Sequence, residues 1–184
     1  MNRVVFSNLD SESIDELIVN AEFENNIPLL REIFIEKKMA DIHRVSNFDK
    51  RNYLHSILCY FEPSSELVIF YIKQGLDINA QDIYGMTPLH YAMQEKNVDA
   101  AIALLNAGAD PNIPNIDNLT PLSLIGYLPD RLDVLELMLE KGANVNYLVN
   151  EGETILESYK PNKDEAHLLP IYNLMKKYKD RNNL

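Results

Sequence analysis

At 184 residues and 46% hydrophobic content, the chain is sized for one domain with an ordinary buried core. A single cysteine, Cys59, excludes an internal disulfide framework and any four-cysteine metal site, and it fits a reducing compartment. The formal net charge of −11 argues against gripping a phosphate backbone through the body of the protein, and no stretch approaches the ~20 apolar residues of a membrane span.

In chain order, the opening "MNRVVFSNLDSESIDELI" holds too short an apolar run for a secretory segment, so a cytoplasmic location is expected. Residues 1–45 read as a capping helix pair in which Leu29, Leu30, Ile33 and Phe34 form a core stripe. Residues 46–81 carry Leu54-His55 and then "YIKQGLDIN". Residues 82–114 carry "DIYGMTPLHYA" and then "LLNAGADPN", and residues 115–148 carry "TPL" and "KGANVN". Residues 149–184 keep "GETIL" and then diverge, as expected of a C-terminal capping repeat. Three markers recur at about 33 residues: Gly75, Gly108 and Gly142; Asn79, Asn112 and Asn146; Thr87, Thr120 and Thr154.

Each marker has a physical task. Gly85, Asn118 and Gly152 are residue types that tolerate the left-handed backbone of a tight turn. Thr87 is placed to cap a helix whose first position is Pro88, where the missing N–H costs nothing. A second helix follows, with Val98, Ala101, Ile102 and Leu105 on one face, and Gly108 ends it. The equivalent "RLDVLELMLEK" is apolar around most of its circumference and must be covered on two sides.

The pattern D-x-x-G-x-T-P-L-H-x-A followed by L-L-x-x-G-A-D-x-N resembles the ankyrin repeat, and residues 82–112 match it almost position for position. The resemblance implies a single-domain, all-α ankyrin-repeat solenoid of about five units with finger-like turns and atypical ends. It implies a structural role for His90, reaching back from the third helical position to the capping threonine. His55 falls in the same slot, without a threonine before it.

The remaining chemistry-bearing residues have plain readings. His55 and Cys59 sit four apart, a spacing compatible with a metal pair or an activated thiol, but no further ligand is spaced to join them. Cys59 is expected to be a buried, inert thiol. Asp130, Asp133, Glu136 and Glu140 read as a solvated helix face, and no phosphate loop, nucleophile elbow or H-E-x-x-H motif occurs. No enzyme activity, cofactor or metal is expected.

The resemblance also implies a concave face made by the turns and first helices, used to recognise proteins. Its outward positions are Ile83, Tyr84, Met86, Gln94 and Glu95 in the best repeat, and Ile116, Asp117, Leu119, Tyr127 and Leu128 in the next. Flanking units offer Phe48, Asp49 and Arg51 on one side, and Asn150, Glu151 and Glu153 on the other. Residues 82–157 hold twelve acidic side chains against Lys96, Arg131 and Lys141. The expected partner is therefore a basic protein, not a nucleic acid or a membrane, met by a chain that is monomeric when free.

Overall fold

The computed structural model describes residues 10–149 and 152–181. Asp10 caps the first helix, α1 (Ser11–Phe23), by accepting from the Ser13 N–H. Asn26 caps α2 (Ile27–Arg31) in the same way, and that helix runs on through one wider π turn, Glu32–Glu36. Four further pairs follow: α3 (Tyr53–Tyr60) with α4 (Ser65–Lys73), α5 (Pro88–Gln94) with α6 (Val98–Asn106), a 310 helix (Pro121–Tyr127) with α7 (Leu132–Glu140), and α8 (Ile155–Ser158) with α9 (Leu169–Arg181).

The pairs stack in two layers. Helix α3 packs on α5 and α5 on the 310 helix, while α4, α6, α7 and α9 form the second row. Among the described residues the only β-type pairing is an isolated antiparallel bridge between Leu148 and Thr154. The chain is thus an all-α solenoid, and no described helix is long and apolar enough to cross a membrane.

Between pairs, the backbone turns into fingers. Gly85, Asn118 and Gly152 adopt φ of +68°, +60° and +87°, as their residue types suggest, and Lys50 takes the same slot at +62°. Gly85 is doubly constrained, because a Cβ there would lie 3.0 Å from the Asn115 Cα and the Ile116 nitrogen. Neighbouring fingers bond directly: Ile83 N–H donates to the Asp49 carbonyl at 2.9 Å, and Ile116 N–H to that of Tyr84 at 3.0 Å. The recurring asparagines do parallel work. Asn79 Oδ1 accepts from the Asp110 N–H at 2.9 Å, and Asn112 Oδ1 from the Asn144 N–H at 2.7 Å, each tying one unit to the next.

One continuous core runs through the stack. In the N-terminal pair Leu30, Ile33 and Phe34 are buried and Leu29 is half-buried. In α6 the fully buried face is Ala100, Ala101, Leu104 and Leu105, with Val98 and Ile102 half-buried. The buried stripe is rotated from the expected one because α6 packs on α4, α5 and α7 together.

The unit with Ser123 in the histidine's place departs from α-helical winding. Pro121–Tyr127 winds as a 310 helix, and Tyr159 of the following unit supports it from outside. The Tyr159 hydroxyl donates to the Ser123 carbonyl and accepts from the Gly126 N–H, both at 2.8 Å. A Cβ on Gly126 would sit 2.8 Å from that hydroxyl, so glycine is what admits the tyrosine.

Candidate functional site

Thr87 Oγ1 accepts from the His90 N–H at 3.4 Å, and His90 Nδ1 accepts from the Thr87 N–H at 3.0 Å. With Nδ1 accepting, Nε2 carries the proton and donates to the Leu119 carbonyl of the next finger at 3.0 Å. Burial holds the ring neutral and pulls its pKa down to about 4. Both nitrogens are occupied, so His90 is a staple between units.

His55 does the same with Asn52 in the threonine's place. Asn52 N–H donates to Nδ1 at 3.2 Å, and Nε2 reaches the Ala80 and Met86 carbonyls at 3.0 and 3.1 Å. The absent threonine is therefore compensated. In the later units Ser123 and Glu157 return to the caps Thr120 and Thr154, and among the described residues neither side chain bonds a following finger.

Cys59 is half-buried, not buried as expected, because it lies at the end of α3 where a surface cleft begins. Burial still pushes its thiol pKa up, against the opposing charge of Arg51, which leaves it a poor nucleophile. His55 has no free nitrogen to activate it. No group of three or more His, Cys, Asp or Glu among the described residues could hold a metal ion.

On the finger side, Arg51 sits in a polar knot that residue types alone did not reveal. Its guanidinium donates to the hydroxyls of Tyr60 at 2.7 Å and Tyr91 at 2.6 Å, and pairs with Asp82 at 3.3 Å and Asp49 at 3.4 Å. It lies over both rings, 5.0 Å from the centre of Tyr91 and 5.5 Å from that of Tyr60. Tyr91 in turn donates to Asp82 at 2.7 Å, and Asp82 accepts from the Tyr84 and Met86 N–H groups to shape the finger. Burial alone would lower the Arg51 pKa, but the hydrogen bonds to Tyr91 and Asp82 raise it.

Beside this knot lies a cleft of about 410 Å³. Its floor is Met86, Leu119 and Leu124, its walls are Tyr84, Tyr91, Asn115, Ile116 and Tyr127, and Arg51 and Cys59 of the preceding unit line it as well. Gln94 and Asp117 stand at its mouth. Of the expected contact residues, the structure thus brings Tyr84, Met86, Gln94, Ile116, Asp117, Leu119 and Tyr127 together. Tyr84 and Tyr127 are each 50% exposed and Ile116 is 68% exposed.

Phe48, Ile83 and Ile116 occupy equivalent fingertip positions and form an exposed apolar ridge, with Phe48 reaching 89%. Leu148 is exposed as well. Glu95 and Glu153 are exposed, and Asn150 and Glu151 lie outside the described residues.

Four positions differ from the outward placement expected. Met86 is only 8% exposed, because its sulfur turns inward to accept from Asn115 Nδ2 at 3.4 Å. Leu128 is buried where the 310 helix ends. Asp49 and Arg51 are engaged with each other rather than with solvent. Sequence reasoning missed Tyr60, Tyr91 and Leu124; the repeat register carries the only signal for them, since Tyr91 and Leu124 are equivalent positions one unit apart.

Stacked helix pairs with stitched fingers and a cleft on the finger side define a repeat solenoid. The chain belongs to the ankyrin repeat family: the family model for ankyrin repeats in three copies matches residues 17–115 and 54–148. Ankyrin repeats generally mediate protein–protein interaction, and the family consists typically of non-enzymatic modules.

A putative ankyrin repeat protein of fowlpox virus is 36% identical over 77 residues, covering 41% of this chain and 11% of that protein. A putative ankyrin repeat protein of Acanthamoeba polyphaga mimivirus is 28% identical over 181 residues, covering 93% and 22%. An ankyrin repeat protein of Neurospora crassa is 30% identical over 115 residues, covering 62% and 10%. The chain therefore spans less than a quarter of the length of each of these relatives.

Proposed function

We propose that this chain is a non-enzymatic binding protein whose concave face, centred on the Tyr84–Ile116–Tyr127 cleft, covers a basic protein partner. The observation that carries the reading is the cluster itself. Finger turns have no structural need for half-exposed tyrosines and isoleucines, and a contiguous apolar patch on a monomer's surface usually marks an interaction site. Acidic residues around such a centre match the anatomy of an interface, a dry middle within a polar rim.

Within that reading, the chain acts as an inhibitor or immunity-type protein that neutralises a basic toxin. Its charge and small size support this, and an acidic inhibitor gains both encounter rate and selectivity from opposite fields. It works in the cytoplasm and is monomeric when free. The competing reading is a scaffold or host-directed effector adaptor, favoured by the relatives, in which the matching stretch is a minor part of a longer protein.

Affinity capture from the native source, at low and high salt, tests the proposal. The parent chain should retain one basic protein at low salt and release most of it at high salt. Tyr84→Ala and Ile116→Asp should each lose it while remaining folded. Retention of the same proteins by both variants would refute the concave-face reading. Salt-independent capture of an acidic protein would refute the basic partner.

A further inference from the structure

The Arg51 knot shows how this scaffold holds a guanidinium: over two tyrosine rings, against Asp49 and Asp82. Advancing that site by one repeat places Tyr84 where Asp49 stands, Met86 where Arg51 stands and Glu95 where Tyr60 stands. Asn115 then replaces Asp82, and Leu124 replaces Tyr91. Tyr84, Met86, Asn115 and Leu124 all line the cleft. The cleft is thus the equivalent position one repeat on, with the arginine replaced by a buried methionine and the carboxylates and tyrosines that hold it replaced as well, so its own lining decides what enters.

We propose that this cleft takes an arginine side chain of the protein partner. The inference rests on the concave-face reading above and names the chemical group that enters. The apolar floor of Met86, Leu119 and Leu124 suits the aliphatic stem, since arginine buries its methylenes along apolar surface while keeping its head polar. The half-exposed Tyr84 and Tyr127 rings offer faces to the planar guanidinium, and Asp117 at the mouth offers a carboxylate.

Formal charge agrees. Arg51, itself in the cleft's lining, contributes one positive charge, while Asp117 in the lining and Asp49 and Asp82 paired with Arg51 contribute three negative ones, leaving an excess of two. Glu95, at the end of α5, adds to that excess, and the nearest lysines in sequence, Lys50 and Lys96, lie on the preceding finger and beyond α5. Lysine would gain the charge without the stacking, so the site discriminates between the two cations.

Titration of the isotope-labelled full chain with N-acetyl-arginine amide, followed by amide NMR, reads the site directly. Resonances of Tyr84, residues 115–119 and Tyr127 should move along saturating curves, while those of the outer helices α4 and α6 stay fixed. The neutral isostere N-acetyl-citrulline amide should produce no saturable shift, and the lysine analogue should bind more weakly. Asp117→Asn and Tyr127→Leu should each weaken the arginine response by about two- to fivefold, with the rest of the spectrum reporting that the fold is intact.

Equal responses to arginine and citrulline, equal responses to arginine and lysine, or shifts scattered over the surface would each overturn the proposal. The concave-face reading is judged separately. If capture still depends on Tyr84 and Ile116 while arginine amide fails to bind, the face stands and the arginine does not.

Discussion

The Tyr71 hydroxyl donates at 2.6 Å to a Glu22 carboxyl whose pKa burial has pushed up to about 7. At the other end of the scale, burial has drawn His90 down to about 4. The two groups tilt stability in opposite directions. Glu22 holds its proton more tightly when folded, so its favourable contribution is complete below pH ~4.5 and is lost as pH rises through ~7. His90 resists protonation when folded, so its contribution is complete above pH ~6.5 and is lost as pH falls through ~4. Each spans at most about 3 kcal/mol. Urea unfolding from pH 4 to 8 should show Glu22→Gln gaining on the parent steadily as pH rises; a constant difference would contradict the buried carboxyl. His90→Ala should lose roughly 2–4 kcal/mol at pH 7, because the Thr87 N–H and Leu119 carbonyl are left unpaired in a cavity. Gly85→Ala should lose roughly 1–3 kcal/mol through its positive φ and its contact with the next finger. Equal stability of the alanine variant would remove that constraint.

Among elements, the 310 helix is the one whose geometry depends on a neighbour. If Tyr159 props it open by serving Ser123 and Gly126, then Gly126→Ala must expel the hydroxyl and Tyr159→Phe must leave the same two groups unserved. Each should cost roughly 1–3 kcal/mol in denaturant titrations. The double variant should cost much less than the sum, since both remove one contact. Additive losses would mean that the tyrosine and the glycine act independently. This element also marks the boundary of what residue patterns convey. The register marked by Gly75, Thr87 and Asn79 places helix pairs and fingers, and the resemblance to ankyrin repeats adds the return of His90 to Thr87 and seven of the residues that line the cleft. It carried no information on Tyr159, because the partners lie 33 and 36 residues away in a unit that has diverged from the motif. Nor did it mark Lys50 as left-handed, since lysine is not a residue type that signals positive φ. Met86 was misplaced because a period assigns a direction to a position, whereas the Asn115 contact turned that side chain inward.

Taken whole, two of the molecule's recesses differ most in what they offer a partner. The outer layer carries a hollow of about 580 Å³ between α4 and α6, lined by Ile69, Ile72, Ile102 and Ala103 with Lys73 and Asp99 at its edges. The finger side carries the smaller cleft of about 410 Å³, with its tyrosines, its polar rim and the apolar ridge beside it. Volume favours the first, but chemistry favours the second. Ile72, Ile102 and Ala103 are half-buried core residues showing their edges, while Tyr84, Ile116 and Phe48 project from turns that would fold equally well with polar tips. The measurement that separates them is photo-crosslinking in the native source, with benzoylphenylalanine placed at Ile116 in one version and at Ile69 in another. Recognition through the concave face predicts a single discrete adduct from position 116, lost when Tyr84 is also replaced by alanine, and none from position 69. An adduct from position 69 with nothing from position 116 would contradict it and move the binding surface to the outer helices.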